Sequence, residues 1–271
     1  MSFQPVVPFG GLAGWGFLQR TLDTQRAAFD RSPAAARDEA YFRARIGGID
    51  TAEALVADRR LLKVALEAFG LGADLPSKAF IRKVLEDGTL KEGALSNRLA
   101  DKRYREFSAA FGFGDFNTPR TKLSDFPDRI LQPWRERSFE SAVGAQNNDL
   151  RLALNLRRDL GAIAAGRLSE DGKWFAVLGN APLRQVFERA LGLPSSFGGL
   201  DLDRQVATLR ARTERAFGDS EIAQFADGAA REALIRRFLA RADIGSGGTG
   251  TTPAAAALQL LQSAPSLFRR A

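Results

Sequence analysis

The residues that could do chemistry here are limited in kind. The chain of 271 residues contains no His and no Cys. Without imidazole or thiol it has no Ser-His or Cys-His nucleophile system, no His/Cys zinc or haem site and no disulfide. What stays open is catalysis by carboxylate, Lys, Ser or Tyr, and Mg²⁺ or Ca²⁺ bound through oxygen. None of these options assembles into a motif. Gly112-Phe113-Gly114 opens like a glycine-rich phosphate loop but lacks the third glycine and a preceding strand. Glu170-Asp171 and the Asp201/Asp203 pair lack the twelve-residue alternation of a calcium loop and fit helix capping better. Lys63, Lys78, Lys83 and Tyr104 fall on helical stretches among ordinary surface charge. No P-loop, dinucleotide fingerprint, zinc spacing or nucleophile elbow is present. No catalytic, cofactor or metal residue is therefore assigned, no small-molecule substrate is evident, and the expectation is a non-enzymatic protein.

Trp15, Trp134 and Trp174 are the other conspicuous side chains. Trp buries a large area, and each lies at helical spacing from Leu or Phe, which argues for core packing. Trp15 invites a second reading. It is flanked by Gly14 and Gly16 and follows Pro5, Pro8 and Gly10-Gly11, a segment that reads as too broken for a core helix. On that reading Phe9, Trp15 and Phe17 form an exposed contact set for a protein partner. Leu258, Leu261 and Phe268 of the C-terminal segment are the further candidate contacts.

The elements that must position these residues are helices, because apolar residues recur at three- and four-residue steps between Ser/Asp/Asn starts and Gly stops. Leu18, Leu22, Gln25 and Phe29 set the face of a first helix. Ser32 with Pro33 starts a second, ending at Gly47-Gly48. Asp50 with Glu53 reads as a capping box, and Asp58 as the cap of a helix that stops at Gly70. Ser77 to Asp87, Ala94 to Leu99 and Asp101 to Phe111 follow, then an ordered loop over 112–126. Pro133 is expected to open one long helix, Trp134 to about Ala165, on the order of 45–50 Å at 1.5 Å per residue.

The second half repeats the first. Shifted by 122 residues, Glu53–Leu71 overlies Phe175–Leu193 with six identities in nineteen positions, and Asp58 faces Asn180. The matches fall on the helix face and on its start and stop, as a duplicated unit requires. The expected fold is all-α, a multi-helix bundle with two similar helical lobes joined by a long central helix. Its divisions are an N-terminal segment and first helix (1–32), lobe 1 (33–126), the connecting helix (127–168), lobe 2 (169–242), and a linker and tail (243–271). The linker DIGSGGTGTTP is flexible by composition. The tail after it either folds back on the domain or waits for a partner.

Net charge is +7, carried by 32 Arg against 7 Lys. A nucleic-acid regulator is the alternative function this suggests. The Arg residues are interspersed with acids along every helix and do not form the concentrated basic face such a role needs. The apolar start MSFQPVVPFGGLAGWGFL lacks a basic n-region, and no apolar run approaches a membrane span. The expected location is the cytoplasm.

Seven strings, in order, carry a family likeness: PFGGLAGWGFLQRTLDTQRAAFDRSP, DRRLLKVALEAFGL, KAFIRKVLEDGTL, NRLADKRY, AAFGFGDF, FESAVGAQNNDLRLALN and KWFAVLGNAPLRQVFERALGLPSSFGGLDLDRQ. Over roughly residues 3–241 the chain resembles the alphaproteobacterial domain-of-unknown-function family 1217. The resemblance brings no active-site residue with it. It implies an all-helical fold and a frequent setting among flagellar genes. The expected role is an accessory or regulatory factor in flagellar assembly or motility, with a flagellar component as its protein partner and export through the flagellar system as the alternative location.

Overall fold

The structure, a computed structural model, describes residues 3–245, and among these it contains helices and loops but no strand. Thirteen α-helices run in order: α1 Gly11–Asp30, α2 Pro33–Arg45, α3 Ala52–Ala57, α4 Arg59–Ala68, α5 Lys78–Asp87, α6 Leu95–Arg98, α7 Arg103–Phe111, α8 Phe126–Gly144, α9 Asn148–Ala165, α10 Glu170–Gly179, α11 Ala181–Leu191, α12 Leu202–Phe217 and α13 Gly228–Gly245. None of the described helices is long and apolar enough to cross a membrane.

Local signals set most boundaries. Ser32 Oγ accepts from Ala35 N with Pro33 in the first helical position, and Asp58 accepts from Arg60 N and Leu61 N at 3.0 Å. Such caps satisfy backbone donors that a helix start leaves without partners. The Asp50/Glu53 capping box does not form. Thr51 caps α3 through Ala54 N, while Asp50 pairs with Lys122 Nζ. Thr51 stands three residues before Ala54, the reach a hydroxyl cap needs, whereas Asp50 is one residue too early.

Apolar faces collapse into two cores. One gathers Phe42, Leu55, Leu61, Leu62, Leu66, Phe107, Phe111, Phe126 and Trp134; the other gathers Trp15, Leu18, Phe139, Leu150, Trp174, Phe187, Phe225 and Phe238. Lobe 1 thus comprises α2 to α7, and α1 packs with α9 to α13 in lobe 2. Helix α8 serves both cores: Phe126, Ile130, Leu131 and Trp134 enter lobe 1, Phe139 and Val143 enter lobe 2. Pro133 sits inside α8, beside the changeover. A helix-interior proline removes one backbone donor, which weakens the ladder between the two packed halves.

The single long connecting helix is corrected by the structure. The chain breaks at Ala145–Asn147, Asn147 Oδ1 caps α9 through Leu150 N at 3.0 Å, and α9 folds back antiparallel on α8. Val143, Leu150 and Leu154 keep helical spacing across this break, so the apolar pattern alone reads as continuous. The reading of the N-terminal segment as too broken for a core helix is also corrected. Helix α1 begins at Gly11, where φ is +56°, a conformation glycine adopts without strain. Gly14 lets the Phe9 carbonyl approach, since a Cβ there would stand 2.1 Å from Phe9 O.

Candidate functional site

Trp15 decides the first of the expected contact sets. Its indole is only 2% exposed in the lobe 2 core, and its Nε1 donates to Glu232 Oε1 at 2.9 Å. It is a packing residue, and its place in an exposed set is corrected. The reason lies in the glycines around it, which permit close packing where they had suggested a broken helix. Phe17 is half-buried, and Phe9 is 56% exposed. Leu258, Leu261 and Phe268 lie outside the described residues.

Phe9 does not stand alone. Residues 3–9 form an extended strap running antiparallel along α1. Phe3 packs edge-on against Phe29, and the Val6 backbone exchanges two hydrogen bonds with the Gln25 amide, 2.7 and 3.1 Å. Gln146 Nε2 donates to Pro5 O. Phe3, Pro5 and Val7 turn inward, while Val6, Phe9 and Leu12 face solvent, Leu12 being 45% exposed. The strap therefore presents a fixed apolar edge, anchored at several points behind it.

The second candidate is a charged seam between the lobes, which the sequence did not reveal. Arg158, on α9, donates Nε to Asp159 Oδ1 at 2.7 Å and Nη2 to Asp159 Oδ2 at 3.1 Å, while its Nη1 pairs with Glu140 Oε2 on α8. Arg137 Nη2 lies 4.0 Å from Asp159 Oδ1. From lobe 1, Arg103 forks onto Asp101 and donates to Gly70 O at 2.6 Å. From lobe 2, Asn180 Nδ2 reaches Asp159 Oδ2 at 3.4 Å. The Glu140 carboxyl is pushed up by burial, against the pull of Arg158; its Oε1 has no hydrogen-bond partner. Burial and the like charge of Arg158 push Arg137 below its ordinary value. For Arg158 burial pulls down, but hydrogen bonds to Asp159 and the Glu140 charge outweigh it, so its proton is held more tightly. The one signal in the sequence is Glu140 itself, an acid lying between Phe139 and Val143 on the buried side of α8.

Perturbed ionisable groups also mark catalytic sites, so the seam has to be weighed as one. Glu140 and Asp159 are both engaged by the guanidinium of Arg158, and Asp101 by that of Arg103. Two surface grooves lie elsewhere, on lobe 1, one of about 860 Å³ along Arg45, Asp58, Arg59 and Arg60, another of about 430 Å³ along Phe116, Pro119 and Leu123. Among the described residues no cluster of three or more carboxylates could hold a metal ion. The seam's geometry suits joining two lobes. Tyr104, Lys83, Lys63, Glu170, Asp201, Gly112 and Gly114 each make local structural contacts. Tyr104 donates to Asp74 at 2.8 Å and is pushed up to about 12 by burial and by that bond. Lys83 pairs with Asp87 at 2.7 Å, and Lys63 lies 3.3 Å from Asp38. Glu170 holds Lys173 and accepts from Ile222 N, and Asp201 caps α12. Gly112 ends α7 in the left-handed region, and Gly114 crosses the chain at Gly88, where a Cβ would stand 2.3 Å from Glu86 O.

The profile of a family described as proteins of unknown function, DUF1217, matches residues 68–230. The chain belongs to the DUF1217 family. The DUF1217 match contains the whole seam, from Gly70 through Arg103, Glu140 and Arg158 to Asn180, and leaves out Phe9, Leu12 and Trp15. A crystal structure of protein AGR_C_984 from Agrobacterium tumefaciens is similar over 90% of this chain and 98% of its own, at 25% identity and a TM-score of 0.69. That overlap takes the likeness beyond the DUF1217 match to nearly the whole chain. No curated protein matches.

Proposed function

We propose that this protein is a non-enzymatic accessory or regulatory factor in bacterial flagellar assembly or motility, acting through protein contacts at the apolar edge of Val6, Phe9 and Leu12. The observation that carries the contact reading is this edge. Large apolar side chains are exposed on a strap whose other face is pinned by Phe3, Gln25 and Gln146. A fixed edge loses little conformational freedom on binding, which is what makes exposed aromatic residues effective anchors. The flagellar part rests on the gene setting that the family resemblance implies. Swimming in soft agar tests both parts. Deleting the gene abolishes or slows spreading, the intact gene restores it, and a Phe9→Asp/Leu12→Asp allele does not. Normal swimming of the deletion strain would overturn the flagellar role.

A second reading, a nucleic-acid-binding regulator, is favoured by the lobe 1 groove alone. Arg45 and Arg60 lie over the Tyr41 ring at 5.7 and 4.4 Å, and Arg59 also lines the groove. Its weight is reduced by Asp58 in the groove lining and Asp38 on Arg60. An electrophoretic shift with generic DNA that weakens steeply with salt would support it; no shift at low salt would remove it.

A further inference from the structure

Helix α13 ends at Gly245 beside the start of α1. The Asp243 carboxylate lies so close to Gly11 that a Cβ there would stand 2.0 to 2.6 Å from its atoms. The chain therefore leaves the described structure next to Gly11, two residues from Phe9 and one from Leu12. Beyond Gly245 the chain has 26 more residues, 246–271, with no acidic residue among them and with Arg269 and Arg270 near the end. Within this tail Ala254–Gln262 (AAAALQLLQ) holds the apolar residues Leu258, Leu260 and Leu261, preceded by a Gly/Ser/Thr stretch. An extended chain spans at most about 3.3–3.6 Å per residue, so the thirteen steps from Gly245 to Leu258 reach up to about 45 Å. The edge begins within a fraction of that length.

Two features favour this segment as the occupant of the edge. The first is proximity: a tethered segment meets a neighbouring surface at an effective concentration on the order of millimolar, enough for a weak apolar contact to be populated. The second is complementarity in kind, an apolar run of small and Leu residues against Val6, Phe9 and Leu12.

We infer that residues 254–262 dock on the Val6–Phe9–Leu12 edge of the same chain and cover the surface a partner would use. The tail then acts as an internal competitor: a partner must displace it, and its removal raises partner affinity. This deepens the proposed function, and its test is separate from the swimming assay, because it reads the tail and not the partner.

The absence of Cys makes the test direct. A nitroxide on Ala13→Cys, an exposed α1 position, is the only thiol label in the full chain. Paramagnetic broadening is then read on the backbone amides of the ¹⁵N-labelled protein. The expected result is a loss of about half or more of the signal for residues 255–262, as effective millimolar tethering gives. That loss is relieved by Leu258→Ser/Leu261→Ser, which leaves the described fold untouched, and by Phe9→Asp/Leu12→Asp. Unbroadened tail amides, or broadening that the tail substitutions leave unchanged, would overturn the inference. Broadening that appears only when unlabelled nitroxide-bearing protein is mixed with ¹⁵N protein lacking the nitroxide would assign the edge to a second copy and overturn it equally.

Discussion

At Asp58 the chain turns from α3 into α4 with φ −87° and ψ 97°; at Asn180 it turns from α10 into α11 with φ −96° and ψ 98°. Both residues cap the next helix, through Leu61 N at 3.0 Å and Leu183 N at 3.2 Å, positions 122 apart. Both helices then stop in the same way. Gly70 N and Leu71 N return to Glu67 O and Leu66 O, and Gly192 N and Leu193 N return to Arg189 O and Glu188 O, with φ of +71° and +65° at the two glycines. The stops agree bond for bond; the caps share the bond three residues on, Asp58 taking one more from Arg60 N where Pro182 has no N–H to offer Asn180, and the capping side chains differ in charge. Asp58 accepts from the Tyr41 hydroxyl at 2.7 Å and shares its groove with Arg45, Arg59 and Arg60, where a negative charge is stabilised. Asn180 faces the Asp159 carboxylate, where a second negative charge would be repelled and the amide can donate instead. The common backbone is set by cap and stop; the residue chosen at the cap is set by what each joint faces.

The largest way to break this comparison is to remove the seam from beneath the second joint. Arg158→Met leaves Glu140 buried without its paired cation and leaves Asp159 only the longer contacts to Arg137 and Asn180. Breaking a buried ion pair from one side costs about 3–5 kcal/mol, read as a lower midpoint in urea unfolding. The double variant Glu140→Gln/Arg158→Met regains much of that loss, because the penalty belongs to the stranded carboxylate. A double variant no more stable than Arg158→Met would show that the guanidinium acts through packing instead.

The next effect exchanges the cap residues. Asn180→Asp keeps the cap acceptor but sets a carboxylate against Asp159, at a cost of about 1–3 kcal/mol at neutral pH. Repulsion raises the folded-state value of the new carboxyl above its unfolded value. The destabilisation is therefore complete above the folded value, fades as pH falls from the folded value to the unfolded value near 4, and is gone below it. Unfolding midpoints of wild type and variant at pH 7 and pH 4 check the sign: the gap narrows in acid.

These joints also show what a sequence makes legible. Caps and glycine stops are local, and Ser32, Asp58, Asn180, Gly70 and Gly192 can each be read from their neighbours. The all-helical class and the repeat come from them. The break between α8 and α9 is hidden because Val143, Leu150 and Leu154 hold their spacing across it, although Gly144 and Asn147 mark it. Trp15 misleads because Gly10, Gly11 and Gly14 look like interruptions until the close approach of the Phe9 carbonyl shows what they admit. The seam is not local at all. Arg103, Arg137 and Arg158 have nothing in their immediate sequence to separate them from the other Arg residues, and only the fold-back of α9 on α8 brings Arg158 to Glu140.

A smaller effect tests the equivalence of the two stops. Gly70→Ala and Gly192→Ala each force a side chain into the left-handed region, costing about 1–2 kcal/mol apiece. At Gly192 the new Cβ also meets the guanidinium of Arg241, whose side chain is exposed and can swing away. At Gly70 it meets Arg137 and Arg103 at 3.1 and 3.2 Å, and both are tied into the seam. The excess loss falls on Gly70→Ala, measured as the difference between the two midpoints; equal losses would mean the seam yields at no cost.

The smallest effect sharpens the charge argument from the other side. Burial alone would raise the Asp58 carboxyl, but the Tyr41 hydroxyl, the backbone N–H groups of Leu61 and Arg60 and the Arg45 charge together hold it below its ordinary value. A carboxyl lowered in the folded state adds stability that is present above its unfolded value and is lost as pH falls through the folded one. Asp58→Asn keeps an acceptor for the cap and removes this contribution. At pH 7 it costs about 0.5–1 kcal/mol, the scale of one partly exposed charged interaction, and the cost vanishes in acid. Asn180→Asp and Asp58→Asn thus both lose their effect as pH falls, for opposite reasons: one stops imposing a repelled charge, the other stops lacking a favoured one. An Asp58→Asn loss that persisted unchanged at low pH would place the contribution of Asp58 in the geometry of its cap and leave its charge without a role.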